Sequence, residues 1–415
     1  MKKHILVIAQ YFYPEQFRIN DICREWVNRN YKVTVITGIP NYPQGKYYEG
    51  YSLFKKRKEY YKGIEIIRIP IIPRGNKSMM LVLNYISFVV SGFFWKVFTS
   101  IKSDYVFIYE VSPMTQALPG IWYAKKRKKP CYIYITDLWP ENVEIAAGIK
   151  NKSILKAIGA MVDYIYKRCD RIFTSSESFI EAINERRVDI NKLEFWPQYA
   201  EDYYFPINKE ESDVPEIPQD DAFNIIFAGN IGVAQGLDVL PITAEILKRD
   251  RINVRFNIVG DGRFKARLIN MVTEGNVSKM FNFVSKQPPD RIPEFMSVCD
   301  ASLISLSKSK VFSITLPAKT QSCLACGIPI IVSADGEIQE VIQKANAGVY
   351  SNAGDAEMLA TKIRVLVSKS PEELKEMGEN AYKYSKLNFD KQKLLSRMDK
   401  WFNNEFLNNK NYDWS

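Results

Sequence analysis

The chain has 415 residues, of which 46% are hydrophobic and 25% are charged, and its formal net charge is +10. This length exceeds what one hydrophobic core usually organises, so we expect two domains, and the composition excludes a disordered or fibrous protein. Gln10 breaks the apolar run of the N-terminal stretch MKKHILVIAQYFYPEQ, which is therefore not predicted to be a signal peptide. Six scattered cysteines lack a disulfide framework, which predicts a reducing cytoplasm.

Apolar, β-rich runs alternate with helical patterns through the first half of the chain. The predicted strands are residues 4–10, 32–37, 64–69, 105–110, 131–136 and 171–176. Strands that are apolar at nearly every position are buried on both faces, as in a parallel sheet. The first half is therefore predicted to be a doubly wound α/β domain.

An acidic, proline-containing stretch that includes NKEESDVPEIPQDD interrupts this alternation and is predicted to be a linker. The alternation then restarts with predicted strands at 223–230, 253–262, 280–285, 300–306, 328–334 and 347–351. The last helix, with Trp401 and Phe402, is expected to return to the first domain. The prediction is an α/β protein of two facing Rossmann-like domains with a cleft between them. Its segments are 1–205, the linker 206–221, 222–385 and the C-terminal helix 386–415.

The positive charge is concentrated in the first half. Residues 1–200 contain 31 Lys and Arg against 18 Asp and Glu, whereas residues 201–415 contain 26 against 29. This asymmetry indicates either an anionic partner for the first half or solvated loops in a lysine-rich protein. Nucleic acid is not expected, because the basic runs at 55–58 and 125–129 belong to no recognised binding motif.

Glycine-bearing turns follow the first two predicted strands of the second half. They contain Gly229, Asn230, Gly232 and Gly236, and then Gly260, Gly262, Arg263 and Lys265. Glycines allow backbone amides to approach an oxyanion closely, although a single such turn is often a plain tight turn. Together with the stretch that contains Lys319, these turns make three such strand ends in one domain, two of them with adjoining cations, which predicts a diphosphate site.

The stretch ITLPAKTQSCLACGIPII places Lys319 at the start of a predicted helix. A helix N-terminus carries unpaired amides and a positive dipole, so it is a natural anion site to which Lys319 adds a full charge. Cys323 and Cys326 have CxxC spacing but no second pair, so helix packing is favoured over metal or redox chemistry.

Two kinds of nucleotide chemistry are disfavoured because the sequence lacks their motifs. No P-loop sequence is present, and GxGxxG does not follow the first strand, which argues against NTP hydrolysis and dinucleotide redox chemistry. The only histidine, His4, lies in the first predicted strand and is expected to be packed there. A mechanism that needs a histidine base is therefore not expected.

These motifs carry a family resemblance. The order FAGNIG, VGDGR, PAK, ACGIPII and SADGE resembles the second domain of GT-B-fold, family-four nucleotide-sugar glycosyltransferases. More narrowly, QYFYPEQFRINDI, DLWPENV and WPQYAED in the first half resemble the subgroup of O-antigen and capsule assembly, which includes N-acetyl-L-fucosamine transferases.

The chain departs from the pattern of the wider family at several donor positions. Ile314 and Ser322 stand where that family has two glutamates, and Asn230 and Gln235 stand where it has an arginine and a lysine. Asp137 lies near the position of the sugar-contacting histidine. Lys319 can compensate for the lost positive charge near the diphosphate. The resemblance also implies that Gln321 or Ser322 reaches toward the ribose of the nucleotide.

The resemblance implies a retaining, metal-independent glycosyltransferase that needs no cofactor. It would move an N-acetylated sugar, for example the 6-deoxy sugar N-acetyl-L-fucosamine, from a UDP-sugar to a polyprenyl-diphosphate-linked saccharide. Two alternatives remain open: a UDP-sugar 2-epimerase, and a non-catalytic UDP-sugar-binding scaffold. An epimerase would need acid and base groups around the sugar C2 carbon, which the absence of an available histidine disfavours.

The site residues implied by this resemblance fall into three sets. The catalytic set is Asp137, Glu141, Arg263 and Lys319. The donor-binding set is Gly229, Asn230, Gly232, Gln235, Gly262, Arg263, Lys265, Lys286, Thr315, Lys319, Gln321 and Ser322. The acceptor-side set is Phe17, Arg18, Asn20 and Gln198.

The apolar segment Asn76–Phe98 is long enough to span a bilayer. A span is disfavoured because the predicted strands before and after it should share one sheet. A buried helix and a helix lying in the membrane interface remain open. The second reading predicts peripheral binding to the anionic, cytoplasmic face of the cell membrane. Its membrane-facing residues would be Arg74, Lys77, Phe93, Phe94, Trp95 and Lys96.

Overall fold

The structure is a computed structural model that describes residues 2–75, 77–143 and 151–403. It consists of two compact units: the first comprises residues 1–196 and 395–415, and the second comprises residues 197–394. The predicted domain boundary after residue 205 therefore falls inside the second unit.

The first unit is a sheet with helices in the connections between its strands. Its strands are β1 (His4–Ile8), β2 (Lys32–Gly38), β3 (Lys58–Tyr61), β4 (Ile64–Ile69), β5 (Tyr105–Glu110), β6 (Cys131–Ile135), β7 (Arg171–Thr174) and β8 (Leu193–Phe195). Its main helices are α1 (Ile19–Asn28), α2 (Ser78–Phe98), α3 (Ala117–Arg127), α4 (Lys152–Arg168) and α5 (Ser178–Asn184).

The strand order of the first unit is β3-β4-β2-β1-β5-β6-β7-β8, and only β3 is antiparallel to its neighbour. Every residue of β1, β5 and β6 is buried, as the continuous apolar runs predict. The order reverses between β1 and β5. In a doubly wound sheet, ligands bind beyond the carboxyl ends of the strands at such a switch point.

The second unit repeats this architecture. Its strands are β9 (Phe223–Asn230), β10 (Val254–Asp261), β11 (Phe281–Val284), β12 (Ala301–Ser305), β13 (Ile330–Ser333) and β14 (Gly348–Ser351). Its helices are α6 (Val239–Arg249), α7 (Lys265–Glu274), α8 (Ile292–Ser297), α9 (Lys310–Ser313), α10 (Ala318–Cys326), α11 (Glu337–Ala345), α12 (Ala356–Val367) and α13 (Pro371–Asn388). The strand order β11-β10-β9-β12-β13-β14 is parallel throughout and reverses between β9 and β12.

The stretch 206–221, predicted as a linker, belongs to the second unit. Val214 and Ile217 are buried in a core cluster that also contains Ile226 of β9 and Val259 of β10. These two apolar side chains therefore contribute to holding the stretch against the sheet.

The C-terminal helix α14 (Lys391–Phe402) contains the boundary between the units. Its residues from Leu395 onward belong to the first unit, as the predicted return of the chain requires. The buried ring of Phe402 lies 5.5 Å from that of Trp26 and 5.1 Å from that of Tyr105. The predicted C-terminal segment 386–415 also includes the end of α13, and its residues 404–415 lie outside the described residues.

Candidate functional site

The turns that follow β9 and β10 form one connected structure at the carboxyl edge of the second sheet. The amide of Ile231 donates to the carbonyl of Asp261 (2.8 Å), and the amide of Phe264 donates to the carbonyl of Ile231 (3.0 Å). The turn after β12 joins them, since the amide of Ser307 donates to the carbonyl of Ala234 (3.0 Å). The predicted glycine-bearing turns are therefore brought together.

Two glycines are paired where β9 and β10 end. Gly229 and Gly260 are register partners, with φ of +147° and +148°. A Cβ atom at Gly260 would lie 2.0 Å from the carbonyl oxygen of Gly229. Both the backbone conformation and the close approach therefore require glycine at Gly260.

Lys319 lies directly against this glycine pair. A Cβ at Gly229 would be 3.2 Å from the Lys319 Nζ, which also lies 3.6 Å from the centre of the Phe227 ring. The residue is partly exposed, but its Nζ is buried and has no hydrogen-bond partner among the described residues. Burial lowers the pKa of Lys319 to about 8. A buried cation without a counter-ion is costly, which is the condition that a bound anion would relieve.

Lys319 belongs to the first turn of α10, whose N-cap is Pro317 and whose first turn has no acidic residue. Gln321 was predicted to reach outward, but its side chain is directed at its own helix. It is fully buried, and in the orientation that its surroundings require its amide nitrogen donates to the carbonyls of Pro317 (3.2 Å) and Ala318 (3.1 Å). Ser322 is also buried. Neither side chain is available to a ribose in this structure.

The remaining predicted donor residues differ in exposure. Asn230 and Arg263 are exposed, whereas Gly232 and Gln235 are half-buried in the turn after β9. Gly262 is half-buried beside the same turn. A Cβ atom at this position would lie 2.2 Å from the carbonyl oxygen of Ile231.

Three further predicted donor residues have other surroundings. The ammonium group of Lys265 donates to the carbonyl of Gly260 (2.9 Å), so its charge is directed at the end of β10. The hydroxyl of Thr315 donates to the carbonyl of Val311 (2.7 Å). Lys286 is exposed just after β11, at the edge of the sheet.

The cysteines and the histidine have packing roles. All six cysteines are free and buried, and the Cys323 sulfur lies 3.1 Å from the Ser302 hydroxyl. The ring nitrogens of His4 contact the Lys102 carbonyl (2.6 Å) and the Thr34 hydroxyl (2.8 Å), and burial lowers the pKa of the ring. The packing interpretation of Cys323, Cys326 and His4 is confirmed.

In the first unit, Asp137 is part of a carboxylate pair at the ends of β5 and β6. Its carboxylate accepts from the amide of Ser112 (2.9 Å), and its own amide donates to the Glu110 carboxylate (3.3 Å). Glu110 is fully buried, and burial together with Asp137 raises the pKa of Glu110 well above its usual range. The sequence reasoning missed Glu110, although a carboxylate inside an apolar strand was a visible signal. Glu141 is exposed.

Glu15 connects two loops at the carboxyl edge of the first sheet. Its carboxylate accepts from the amides of Asn41 (2.8 Å), Tyr42 (2.7 Å) and Phe12 (3.3 Å). Burial raises the pKa of Glu15 to about 7. Asn20, a predicted acceptor-side residue, supports the same loop, because it accepts from Tyr13 N (3.1 Å) and donates to the Glu15 carbonyl (2.7 Å).

An aromatic cluster adjoins these loops. The rings of Tyr11 and Phe17 are stacked at 5.3 Å, and Tyr42 lies 5.3 Å from Phe17. The Arg74 guanidinium lies over Tyr42, 5.1 Å from its centre, and 3.5 Å from the Tyr11 hydroxyl. Arg74, predicted as membrane-facing, is therefore part of this cluster.

Two acceptor-side predictions have other positions. Arg18 is the half-buried N-cap residue of α1. Gln198 belongs to the second unit rather than to the predicted acceptor domain, and it is half-buried.

Helix α2 has its polar side toward the protein and its apolar side outward. Asn84 is fully buried, accepts from the side-chain nitrogen of Gln10 (2.7 Å) and donates to the Ile72 carbonyl. Ser87 accepts from the Ile72 amide (2.9 Å), and Ser91 donates to the Pro70 carbonyl. The outer face of α2 consists of the exposed residues Met79, Val82, Leu83, Ile86, Val90, Phe93, Phe94, Val97 and Phe98.

Among the described residues, α2 is the only helix long and apolar enough to cross a membrane. Of its predicted membrane-facing residues, Lys77 is exposed, and Lys96 is half-exposed and lies over the Phe93 ring. Trp95 is instead turned inward, stacked on Tyr123 of α3 at 5.4 Å. Asn76 lies outside the described residues.

The second unit resembles a known protein family, and most of the chain resembles a curated relative. Residues 208–384 match the family model described as "Glycosyl transferases group 1". WcaI of Escherichia coli (strain K12), an inferred colanic acid biosynthesis glycosyl transferase, is 26% identical over 354 residues, which are 80% of this chain and 83% of that protein.

Two solved structures resemble the whole chain. Sucrose-phosphate synthase from Thermosynechococcus elongatus has a TM-score of 0.76 at 14% identity, covering 98% of this chain and 99% of that chain. HepE from Anabaena, solved in complex with UDP and glucose, has a TM-score of 0.69 at 12% identity, covering 97% and 100%. The fold is GT-B, as predicted, and residues 208–384 resemble group 1 glycosyl transferases.

Proposed function

We propose that this chain is a retaining, metal-independent glycosyltransferase of polysaccharide biosynthesis that uses a UDP-linked sugar. The ammonium group of Lys319 is the observation that carries the proposal: it is buried against Gly229, and no described residue gives it a hydrogen-bond partner. UDP bound to the HepE neighbour and the colanic acid assignment of the WcaI relative support the donor class and the pathway class.

The proposed chemistry is stabilisation of the leaving diphosphate. As the bond from the sugar to the β-phosphate breaks, negative charge grows on the departing UDP. Lys319, the exposed Arg263 and the backbone amides of the turn after β9 would bind this charge. Preorganised donors of this kind need no reorganisation at the moment of reaction.

The acceptor side is proposed to lie in the first unit. The stacked Tyr11 and Phe17 offer an aromatic surface for a sugar ring, and Arg74 beside them offers a cation for a phosphate. Asp137, held by the Ser112 amide, would orient acceptor hydroxyls. The acceptor would be a polyprenyl-diphosphate-linked saccharide, and the donor sugar would be an N-acetylated hexose, for example the 6-deoxy sugar N-acetyl-L-fucosamine.

Attachment to the membrane is proposed to occur through the outer face of α2. The polar contacts of Asn84, Ser87 and Ser91 fix the orientation of this helix, so its aromatic residues face outward. Strands β4 and β5, which precede and follow α2, lie in one sheet, which argues against a span. The protein would thus lie on the cytoplasmic leaflet, where a lipid-linked acceptor presents its sugar.

Co-sedimentation with vesicles tests this attachment. Binding to vesicles that contain phosphatidylglycerol should weaken as salt rises. Phe94→Asp should abolish the binding, whereas Leu387→Asp, at an exposed apolar position of the second unit, should not. Equal binding by the two variants would contradict the proposed surface.

The function itself is tested by mass spectrometry of reaction products. A panel of UDP-sugars is incubated with polyprenyl-diphosphate-linked N-acetylglucosamine, and one donor should extend the acceptor by one sugar. UDP-N-acetylglucosamine alone should remain unchanged. Its conversion to an epimer without acceptor would indicate the 2-epimerase, and UDP binding without any transfer would indicate a binding scaffold.

A further inference from the structure

A groove of about 610 Å³ lies along the C-terminal half of α2 in the first unit. Its apolar lining comes from β4, from α2 and from the segment before β5: Ile67, Ile69, Pro70, Phe94, Phe98 and Ile101. This volume is within the usual range for ligand sites, about 300–1,000 Å³. The groove contains none of the residues proposed above for donor or acceptor recognition.

Two cations from the basic run at 55–58 line the rim of this groove. Arg57 donates to the backbone carbonyls of Arg68 (2.6 Å) and Leu53 (3.0 Å), which leave its charge uncompensated. Lys58 is more than half exposed and is paired with Glu65 at 2.7 Å, the one carboxylate of the lining. Arg57 and Lys58 against Glu65 leave a net positive rim, which favours an anionic ligand.

The groove is continuous with the outer face of α2. Phe94 and Phe98 line the groove and are also 55% and 80% exposed on that face. A hydrocarbon chain could therefore enter from a bilayer without crossing a polar surface.

The second basic run, 125–129, lies against the same end of α2. Lys126 donates to the carbonyl of Val97 (2.9 Å), and Arg127 donates to the carbonyl of Thr99 (2.7 Å). Both basic runs of the sequence therefore lie near the C-terminal end of α2. Cations on both sides of an exposed apolar surface match an anionic lipid surface better than a neutral one.

We propose that this groove binds one acyl chain of an anionic phospholipid, whose phosphate lies against Arg57 and Lys58. The apolar lining accepts the chain, the cations select the headgroup, and the opening onto the outer face of α2 provides the entry. This site goes beyond attachment to a membrane surface, because it predicts a one-to-one complex that persists without a bilayer.

Native mass spectrometry of the full chain in detergent micelles tests the proposal. Dioleoyl phosphatidylglycerol should give a one-to-one complex, and dioleoyl phosphatidylcholine should bind at least about fivefold more weakly, since it lacks the net negative charge. Lys58→Gln should weaken the phosphatidylglycerol complex about fivefold. The matched control is Lys62→Gln, which removes a charge from the same hairpin outside the groove and should change nothing.

Two substitutions fill the groove without altering its charge. Ile67→Trp places an indole between β4 and α2, and Ser100→Trp does so from an exposed loop position, where it is not expected to disturb folding. Each should lower the bound phosphatidylglycerol at least about tenfold, because the chain no longer fits. Wild-type levels of the complex in Ser100→Trp, or equal binding of the two lipids, would overturn the proposal.

Sugar transfer measured on the same variants distinguishes a failure of this proposal from a failure of the proposed function. Transfer to a water-soluble acceptor analogue should be unchanged in Ser100→Trp, because the groove takes no part in the chemistry. A lost lipid complex with intact transfer supports the groove. An intact, groove-dependent lipid complex in a chain that transfers no sugar would support the groove and contradict only the transferase.

Discussion

At the scale of single residues, Lys319 has an electrostatic cost that its contact with the Phe227 ring offsets only in part. Its Nζ is buried beside Phe227 and Gly229, and the nearest titratable group affecting it is the Cys323 thiol, which is itself buried. Proteins often retain such costs at binding sites, where the ligand supplies the missing charge.

This cost predicts how stability changes with pH. The lowered pKa of Lys319 means that the unfolded chain binds more protons than the native chain between pH 8 and 10.5, so stability rises with pH over that window. Lys319→Met, apolar and similar in length, should therefore raise the free energy of unfolding at pH 7 by about 3 kcal/mol, a gain that disappears by pH 10.5. Urea unfolding across this range measures it, with Lys344→Met as the exposed control. A variant no more stable than the wild type at pH 7 would contradict the burial argument.

The glycine pair gives a second prediction at this scale. Gly260→Ala adds a Cβ that would meet the Gly229 carbonyl at 2.0 Å, so the ends of β9 and β10 must separate. We expect a loss of about 2–4 kcal/mol in stability and of UDP binding. Gly354→Ala is the control, because its φ is also positive (+75°) but nothing lies within 4 Å of the added atom. Calorimetry of UDP binding should show full affinity for this control. Equal losses of UDP affinity in both variants would contradict a role for the close approach of Gly260 to Gly229.

At the scale of elements, Glu15 is the connection between the loops that follow β1 and β2. Glu15→Ala would leave the buried amides of Asn41 and Tyr42 without an acceptor, at a cost of about 2–4 kcal/mol. Glu15→Gln should cost much less, because one oxygen accepts from both amides and a neutral side chain suits the burial that raises the pKa of Glu15 to about 7. Chemical denaturation distinguishes the two, and equal losses would show that charge rather than acceptor geometry holds these loops.

Several strands could be predicted from the sequence because their burial is visible in neighbouring residues of the chain. β4, β5 and β9 have the predicted bounds, since continuous apolar runs report burial on both faces. The strand β3 was missed, because a short antiparallel edge strand in a basic, exposed run has no apolar pattern. The sequence also left open whether α2 is a buried helix or a helix lying in the membrane interface. A helix that is apolar on most sides does not indicate which side packs against the protein.

The candidate site was predictable to a similar degree. The glycine-bearing turns and Lys319 were found because backbone freedom and charge leave a signal in the sequence. Gln321 was assigned to the ligand, but its side chain folds back on its own helix. Glu15 and Arg74 act through contacts between distant segments, which no local pattern contains.

At the scale of the whole molecule, the C-terminal helix α14 completes the core of the first unit. Phe402 lies among Trp26, Tyr31, Tyr105 and Tyr132, and its carbonyl accepts from the Lys3 ammonium group (2.8 Å). The two units thus differ in continuity: the first is built from both ends of the chain, and the second from its middle.

This arrangement predicts a selective effect of Phe402→Ala. Removing a fully buried ring should cost the first unit about 3–5 kcal/mol. UDP binding, which we assign to the second unit, should keep its wild-type affinity at temperatures where both units are folded. The measurement is calorimetric unfolding together with UDP titration. Loss of UDP affinity in a folded variant would show that the donor site depends on the first unit.

The central claim is that Lys319 stabilises the departing diphosphate during sugar transfer. The most direct measurement is the turnover of Lys319→Ala with the UDP-sugar that the product screen identifies, beside Lys344→Ala as an exposed control. We predict that kcat falls by about 10²–10³ for Lys319→Ala, as when one preorganised donor is removed, and stays at the wild-type value for the control. Near-wild-type turnover by a folded Lys319→Ala variant would contradict this account.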